Sequence, residues 1–90
     1  MRVALICRDK PGHLQTRLDT RAAHLEHINA SGVVEMAGPF LSPEGQMTGS
    51  LVVLQVETLA QAEDWAANDP YAKAGLFESV TISEWKKVIG

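Results

Sequence analysis

Short apolar blocks, separated by turn-forming residues, predict six elements in the order strand, helix, strand, strand, helix, strand. The two helices are indicated by apolar residues at intervals of three and four positions, from Pro11 to about Ala30 and from Leu59 to Asn68. Because crossover connections are right-handed, this order places both helices on one face of a four-stranded antiparallel sheet. The predicted fold class is α+β, a ferredoxin-like β-α-β-β-α-β plait. The four predicted strands are Arg2–Cys7, Val33–Phe40, Ser50–Glu57 and Ser79–Trp85.

The first helix carries an apolar stripe that we expect to face the sheet. On a helical wheel, three polar side chains, Arg17, Arg21 and His24, follow one flank of this stripe, at the border between core and solvent. A histidine at such a border can interact with charged neighbours and still be reached by a small molecule. The alternative is that Arg21 lies along the edge of the core and His24 is an ordinary surface residue. The stripe consists of Leu14, Leu18, Ala22, Leu25 and Ile28.

The third strand is apolar on both of its faces over the run Leu51–Val56. A strand of this kind is usually covered on both sides. Two helices can cover only one face of the sheet, so we expect the open face to pack against a second copy of the chain. The sequence therefore predicts a homodimer.

Length, charge and cysteine content limit the function classes. Ninety residues make one domain, residues 1–90, and the net charge of −3 offers no basic surface for nucleic acid. The apolar run Val3–Cys7 is too short for a signal peptide, and no segment is long enough to span a membrane. Cys7 is the only cysteine, so no intrachain disulfide forms, and its apolar setting predicts a buried thiol. We expect a cytoplasmic protein without a metal site, because the three histidines have no suitably spaced partner ligand.

Candidate chemistry lies at Asp69-Pro70, where the second helix ends. A carboxylate at a helix exit is often only a cap for the next turn, and this remains one interpretation of Asp69. The other is that Asp69 reaches His24 on the neighbouring helix and forms a charge-coupled pair. Gly38-Pro39 either terminates a strand or brings the backbone close to a ligand. Ser50 and Tyr71 are candidate hydroxyl contacts.

These residues together resemble the YciI-like family. The resemblance rests on Arg21-x-x-His24-Leu25, on Gly38-Pro39, on Gly49-Ser50 and, most specifically, on Asp69-Pro70-Tyr71 followed by Ala74-Gly75. It implies a dimeric α/β barrel of ferredoxin-like subunits, related to muconolactone isomerase-type folds. It also implies an active site built around a His–Asp pair, formed here by His24 and Asp69.

Three functions are compatible with the sequence. The first is a small enzyme without a cofactor, in which Asp69 orients His24 and His24 moves a proton to or from a cyclic or anionic metabolite. Arg21, with Arg17, would then hold the negative charge of the substrate. Isomerisation, elimination or hydrolysis would suit such a site. The second is a dimeric module that binds a small molecule without converting it. The third is a dimerising accessory domain without a ligand.

Overall fold

The computed structural model describes all residues from Met1 to Gly90, and it confirms the predicted order of elements. One short helix, α3, is present in addition to the six predicted elements. The strands are β1 (Arg2–Asp9), β2 (Val34–Leu41), β3 (Met47–Gln55) and β4 (Phe77–Glu84). The helices are α1 (Leu14–Ser31), α2 (Leu59–Asn68) and α3 (Pro70–Lys73).

The four strands form one antiparallel sheet in the order β2-β3-β1-β4, which is the ferredoxin-like arrangement. The two central strands, β1 and β3, pair in continuous register from Arg2 opposite Gln55 to Arg8 opposite Gly49. Strand β2 lies at an edge and runs through Gly38-Pro39 instead of ending there. An edge strand tolerates proline because one of its sides needs no ladder hydrogen bonds.

The core lies between the sheet and α2. Alternate residues of the central strands point to the same face, and there Val3, Leu5 and Cys7 pack with Val52 and Leu54 at 2 % exposure or less. Thr58 caps the start of helix α2, where its hydroxyl oxygen accepts a hydrogen bond from the backbone N–H of Gln61. The helix closes the core with the buried side chains Ala62 and Trp65, whereas Leu59 in its first turn is 42 % exposed.

Helix α1 is rotated relative to the prediction. Leu14, Leu18 and Leu25 are 36 to 47 % exposed, so the expectation that the apolar stripe faces the sheet is wrong except for Ile28, which packs against the core. The side chains buried along this helix are Arg17 and His24. Polar groups can take these positions because each has a charged partner on the facing elements.

Helix α3 is a single turn between α2 and β4. Asp69 ends α2 in an extended conformation, φ −61° and ψ 124°, as expected for a residue that precedes proline. Pro70 then occupies the first turn of α3, where its missing N–H has no consequence. None of the three helices is both long and apolar enough to cross a membrane.

Candidate active site

His24 and Asp69 form a buried pair between α1 and the junction of α2 and α3. His24 Nδ1 lies 2.8 Å from Asp69 Oδ1, and the side chains are 8 % and 3 % exposed. The same oxygen accepts the backbone N–H of Tyr71 at 3.0 Å, which caps α3. Both interpretations of Asp69 therefore describe real contacts. An ionised carboxylate only accepts, so Nδ1 carries the proton that it donates to Asp69, and Nε2 is the nitrogen left for a ligand.

The phenol ring of Tyr71 fixes the plane of His24. The two rings are stacked with centroids 4.0 Å apart and an interplanar angle of 19°. The Arg17 guanidinium lies over the Tyr71 ring at 4.7 Å, and Phe77 contacts that ring edge-on at 6.0 Å. Burial raises the pKa of Tyr71, although the charges of Arg17 and Arg21 oppose the shift, so the hydroxyl stays protonated at neutral pH.

A second buried pair, Arg17 with Asp9, supports this stack from the side of the sheet. Nε and Nη2 of Arg17 each donate to one carboxylate oxygen of Asp9 at 2.8 Å, and Nη2 also donates to Ser50 Oγ at 2.9 Å. Burial disfavours the charged guanidinium, but the hydrogen bond and charge of Asp9 outweigh this cost and raise the pKa of Arg17. Arg17 is thus engaged inside the protein as a permanent cation.

A cavity of about 160 Å³ opens beside these pairs, between α1 on one wall and β2 with β3 on the other. Arg21 at its mouth is exposed and makes no ion pair, so its charge is available to an anionic ligand. The lining combines polar groups with an apolar wall, as small-molecule sites usually do. The lining residues are Arg17, Arg21, His24, Leu25, Ile28, Ala37, Gly38, Pro39, Met47, Ser50, Val52 and Tyr71.

All the residues that the sequence suggested for the site lie at this cavity or directly behind it. Asp69 stands behind His24, while the other seven contribute to the lining. Asp9 was not predicted as part of the site, because the predicted first strand ended at Cys7, two residues before the end of β1. The alternation Val3, Leu5, Cys7 was the available signal, since the next residue of that series is Asp9. The catalytic and binding roles of these residues stay predictions.

His13, His27 and Cys7 do not line the cavity. His27 Nε2 lies 3.2 Å from the backbone oxygen of Trp65, and His13 Nδ1 lies 3.0 Å from that of Pro11. No group of three or more histidine, cysteine or acidic side chains is placed to hold a metal ion.

Cys7 is buried as predicted, and burial, reinforced by the charge of Asp69, raises its thiol pKa to about 12. A thiol in this state is a poor nucleophile at neutral pH.

Comparison with known proteins places the chain in a family. The family model of the YCII-related domain matches residues 1–86. The chain therefore belongs to the YCII-related family, and the resemblance read from its sequence is confirmed.

Two relatives and one solved structure illustrate the match. An uncharacterised protein of Haemophilus influenzae is 36% identical, and Protein YciI of Escherichia coli is 34% identical; both alignments cover 98% of this chain and 99% of the relative. The structure of 5-chloro-2-hydroxyhydroquinone dehydrochlorinase (TftG) from Burkholderia phenoliruptrix, in complex with 2,5-dihydroxybenzoquinone, is 33% identical. It superposes with a TM-score of 0.89 over 96% of this chain and 94% of that chain. This similarity supports a small enzyme-like or ligand-binding protein.

Proposed function

We propose that this chain is a small acid/base enzyme that acts on a hydroxylated ring with an anionic oxygen. The observation that carries the proposal is the 2.8 Å contact between His24 Nδ1 and Asp69 Oδ1 beside a cavity that His24 lines. A histidine held by a carboxylate through one nitrogen can accept or deliver a proton through the other.

Elimination is the reaction that fits the site and its relatives best. When a halide leaves a hydroxylated ring with its bonding electrons, the ring must give up one proton, and the sum is the loss of a hydrogen halide. His24 Nε2 would take this proton, and Asp69 would stabilise the imidazolium that forms. The similarity to a dehydrochlorinase supports this class of reaction for the present chain.

The cavity walls favour a flat, anionic ligand. Ala37, Pro39 and Val52 form an apolar surface, and Arg21 supplies a free positive charge at the mouth. A volume of about 160 Å³ admits a single substituted ring. In this arrangement Arg21 binds the anionic oxygen of the ring while His24 faces its reacting edge.

We also propose that the chain works as a homodimer that forms through the open face of the sheet. Ile6 and Leu51 alternate with core residues and so point away from the helices, where Ile6 is 37 % exposed. On β2, the Oε1 atom of Glu35 accepts from Arg2 and Gln55, but Oε2 is buried without a partner. A second copy would cover the apolar residues and could supply the missing donor. The cytoplasm remains the compartment that we propose.

Chloride release from 5-chloro-2-hydroxyhydroquinone tests the proposed reaction. We expect turnover by the native chain and a loss of at least about 100-fold in His24→Gln, which is the usual contribution of a general acid or base. His27→Gln is the matched control, because His27 lies one turn further along α1 and contacts Trp65 instead of the cavity. Tight binding of this compound without chloride release would favour the alternative function, a dimeric module that binds a small molecule without converting it. If the native chain neither binds this compound nor releases chloride from it, this substrate class is excluded.

A further inference from the structure

Ser50 presents a hydroxyl proton for which the chain offers no acceptor. Its side chain lines the cavity, and the residue is only 2 % exposed. Ser50 Oγ accepts from Arg17 Nη2, and this is the only side-chain hydrogen bond that Ser50 makes. A hydroxyl group carries one donor and two acceptor sites. The donor is therefore left for a molecule in the cavity.

The ion pair of Arg17 and Asp9 determines whether the Ser50 hydroxyl donates or accepts a hydrogen bond toward the cavity. Asp9 binds Arg17 through two parallel contacts of 2.8 Å, so the guanidinium cannot turn away from Ser50. A fixed cation on the oxygen draws electron density from the O–H bond and makes the hydroxyl a better donor. The same cation repels a positively charged ligand group. Ser50 is thus suited to an oxygen acceptor and poorly suited to an ammonium or amine.

We propose that Ser50 donates a hydrogen bond to the ligand oxygen on which negative charge lies or develops, and that Asp9 and Arg17 are its positioning residues. This inference rests on the proposed function, since it concerns the same cavity. It gives the site two separate polar contacts, with proton transfer at His24 and stabilisation of an oxyanion at Ser50. It also makes Arg17 a support for the site and leaves Arg21 as the cation that touches the ligand.

Binding of 2,5-dihydroxybenzoquinone, measured by calorimetry, tests the inference. We expect Ser50→Ala to weaken binding by about tenfold or more, the usual effect of losing a hydrogen bond to a charged group. Ser79→Ala, on β4 and outside the cavity lining, should leave the affinity unchanged. Thermal melting of each variant shows whether it is folded. Unchanged affinity in folded Ser50→Ala would overturn the proposal.

A double-mutant cycle separates positioning from general destabilisation. Asp9→Asn should weaken binding of the same quinone when Ser50 is present and have little further effect in the Ser50→Ala background. An equal loss of affinity in both backgrounds would show that Asp9 and Arg17 do not act through Ser50, and would overturn that part of the proposal.

The failure of the proposed function can be distinguished from the failure of this inference. If the native chain does not bind 2,5-dihydroxybenzoquinone, the ligand class of the proposed function is wrong. Neutron diffraction of the ligand-free protein then decides the role of Ser50 by itself. A deuteron on Oγ that points into the cavity supports the inference, and one that points to a protein acceptor overturns it.

Discussion

The two contacts of Asp69 Oδ1 make a quantitative prediction about stability. Asp69→Ala removes the cap of α3, which costs about 1 kcal/mol in comparable cases. It also leaves the buried Nδ1–H of His24 without an acceptor, which costs about 1–3 kcal/mol more. The expected loss is therefore about 2–4 kcal/mol. At about 4–8 °C per kcal/mol for a domain of this size, the melting temperature should fall by roughly 8–30 °C.

Asp69→Asn should behave differently, because the amide oxygen can still accept from Tyr71 and from His24. Only the charge of the acceptor is lost, and we expect a cost of about 1 kcal/mol, roughly a quarter to a half of that in the alanine variant. Proton transfer should nevertheless fall by about 10²–10⁴-fold, because a neutral amide neither stabilises an imidazolium nor enforces the tautomer of His24.

Asp64→Ala is the matched control for this series. Asp64 is an exposed acidic residue of α2 whose carboxylate makes no hydrogen bond, so its removal should change the free energy of unfolding by less than about 0.5 kcal/mol. Thermal and urea unfolding of the four proteins give the comparison. If Asp69→Ala is as stable as Asp64→Ala, the shared oxygen does not stabilise the junction and the reasoning is refuted.

Three further predictions concern the cavity, the thiol and the open face of the sheet. Arg21→Gln should weaken binding of 2,5-dihydroxybenzoquinone about tenfold without lowering stability. Lys73→Gln, which removes an exposed cation of α3 outside the cavity lining, should leave the affinity unchanged. Equal effects of the two substitutions would contradict the role of Arg21. The thiol pKa of Cys7 is about 12 in the folded chain, against an ordinary value of 9.0 for an exposed thiol in the unfolded chain. As the pH rises, the unfolded state therefore loses the thiol proton first, and the free energy of unfolding should fall between about pH 9 and pH 12. Urea unfolding across this window should show a shallower decline in Cys7→Ala, and an unchanged decline would contradict the assignment. Ile6→Asp should convert a dimer into a monomer in light scattering, and a monomeric native chain would exclude the proposed interface.

The fold was predictable from the sequence because local signals agree with one another. The predicted bounds of α2, Leu59 and Asn68, are those of the structure, and every other predicted boundary agrees with the structure within three residues. The edge position of Pro39 also follows from its missing N–H. These features depend on residues that are close together in the chain.

The orientation of α1 was not predictable in the same way. A hydrophobic stripe predicts which side of a helix packs inward only when burial of apolar surface decides the outcome. Here the buried polar residues Arg17 and His24 find their partners on β1 and at the start of α3, and those contacts are distant in sequence. Asp9 was missed for the same reason, since its importance appears only when α1 is placed over β1.

The tautomer of His24 tests the central claim most directly. Long-range ¹⁵N–¹H NMR spectra distinguish a protonated ring nitrogen from a bare one, and His27, bonded through Nε2, provides the contrast within the same helix. Nδ1 of His24 should carry a slowly exchanging proton at neutral pH, and the signal of that proton should move upfield in Asp69→Asn. A bare Nδ1, or a His24 spectrum that ignores the substitution, would contradict the pair and with it the proposed acid/base site.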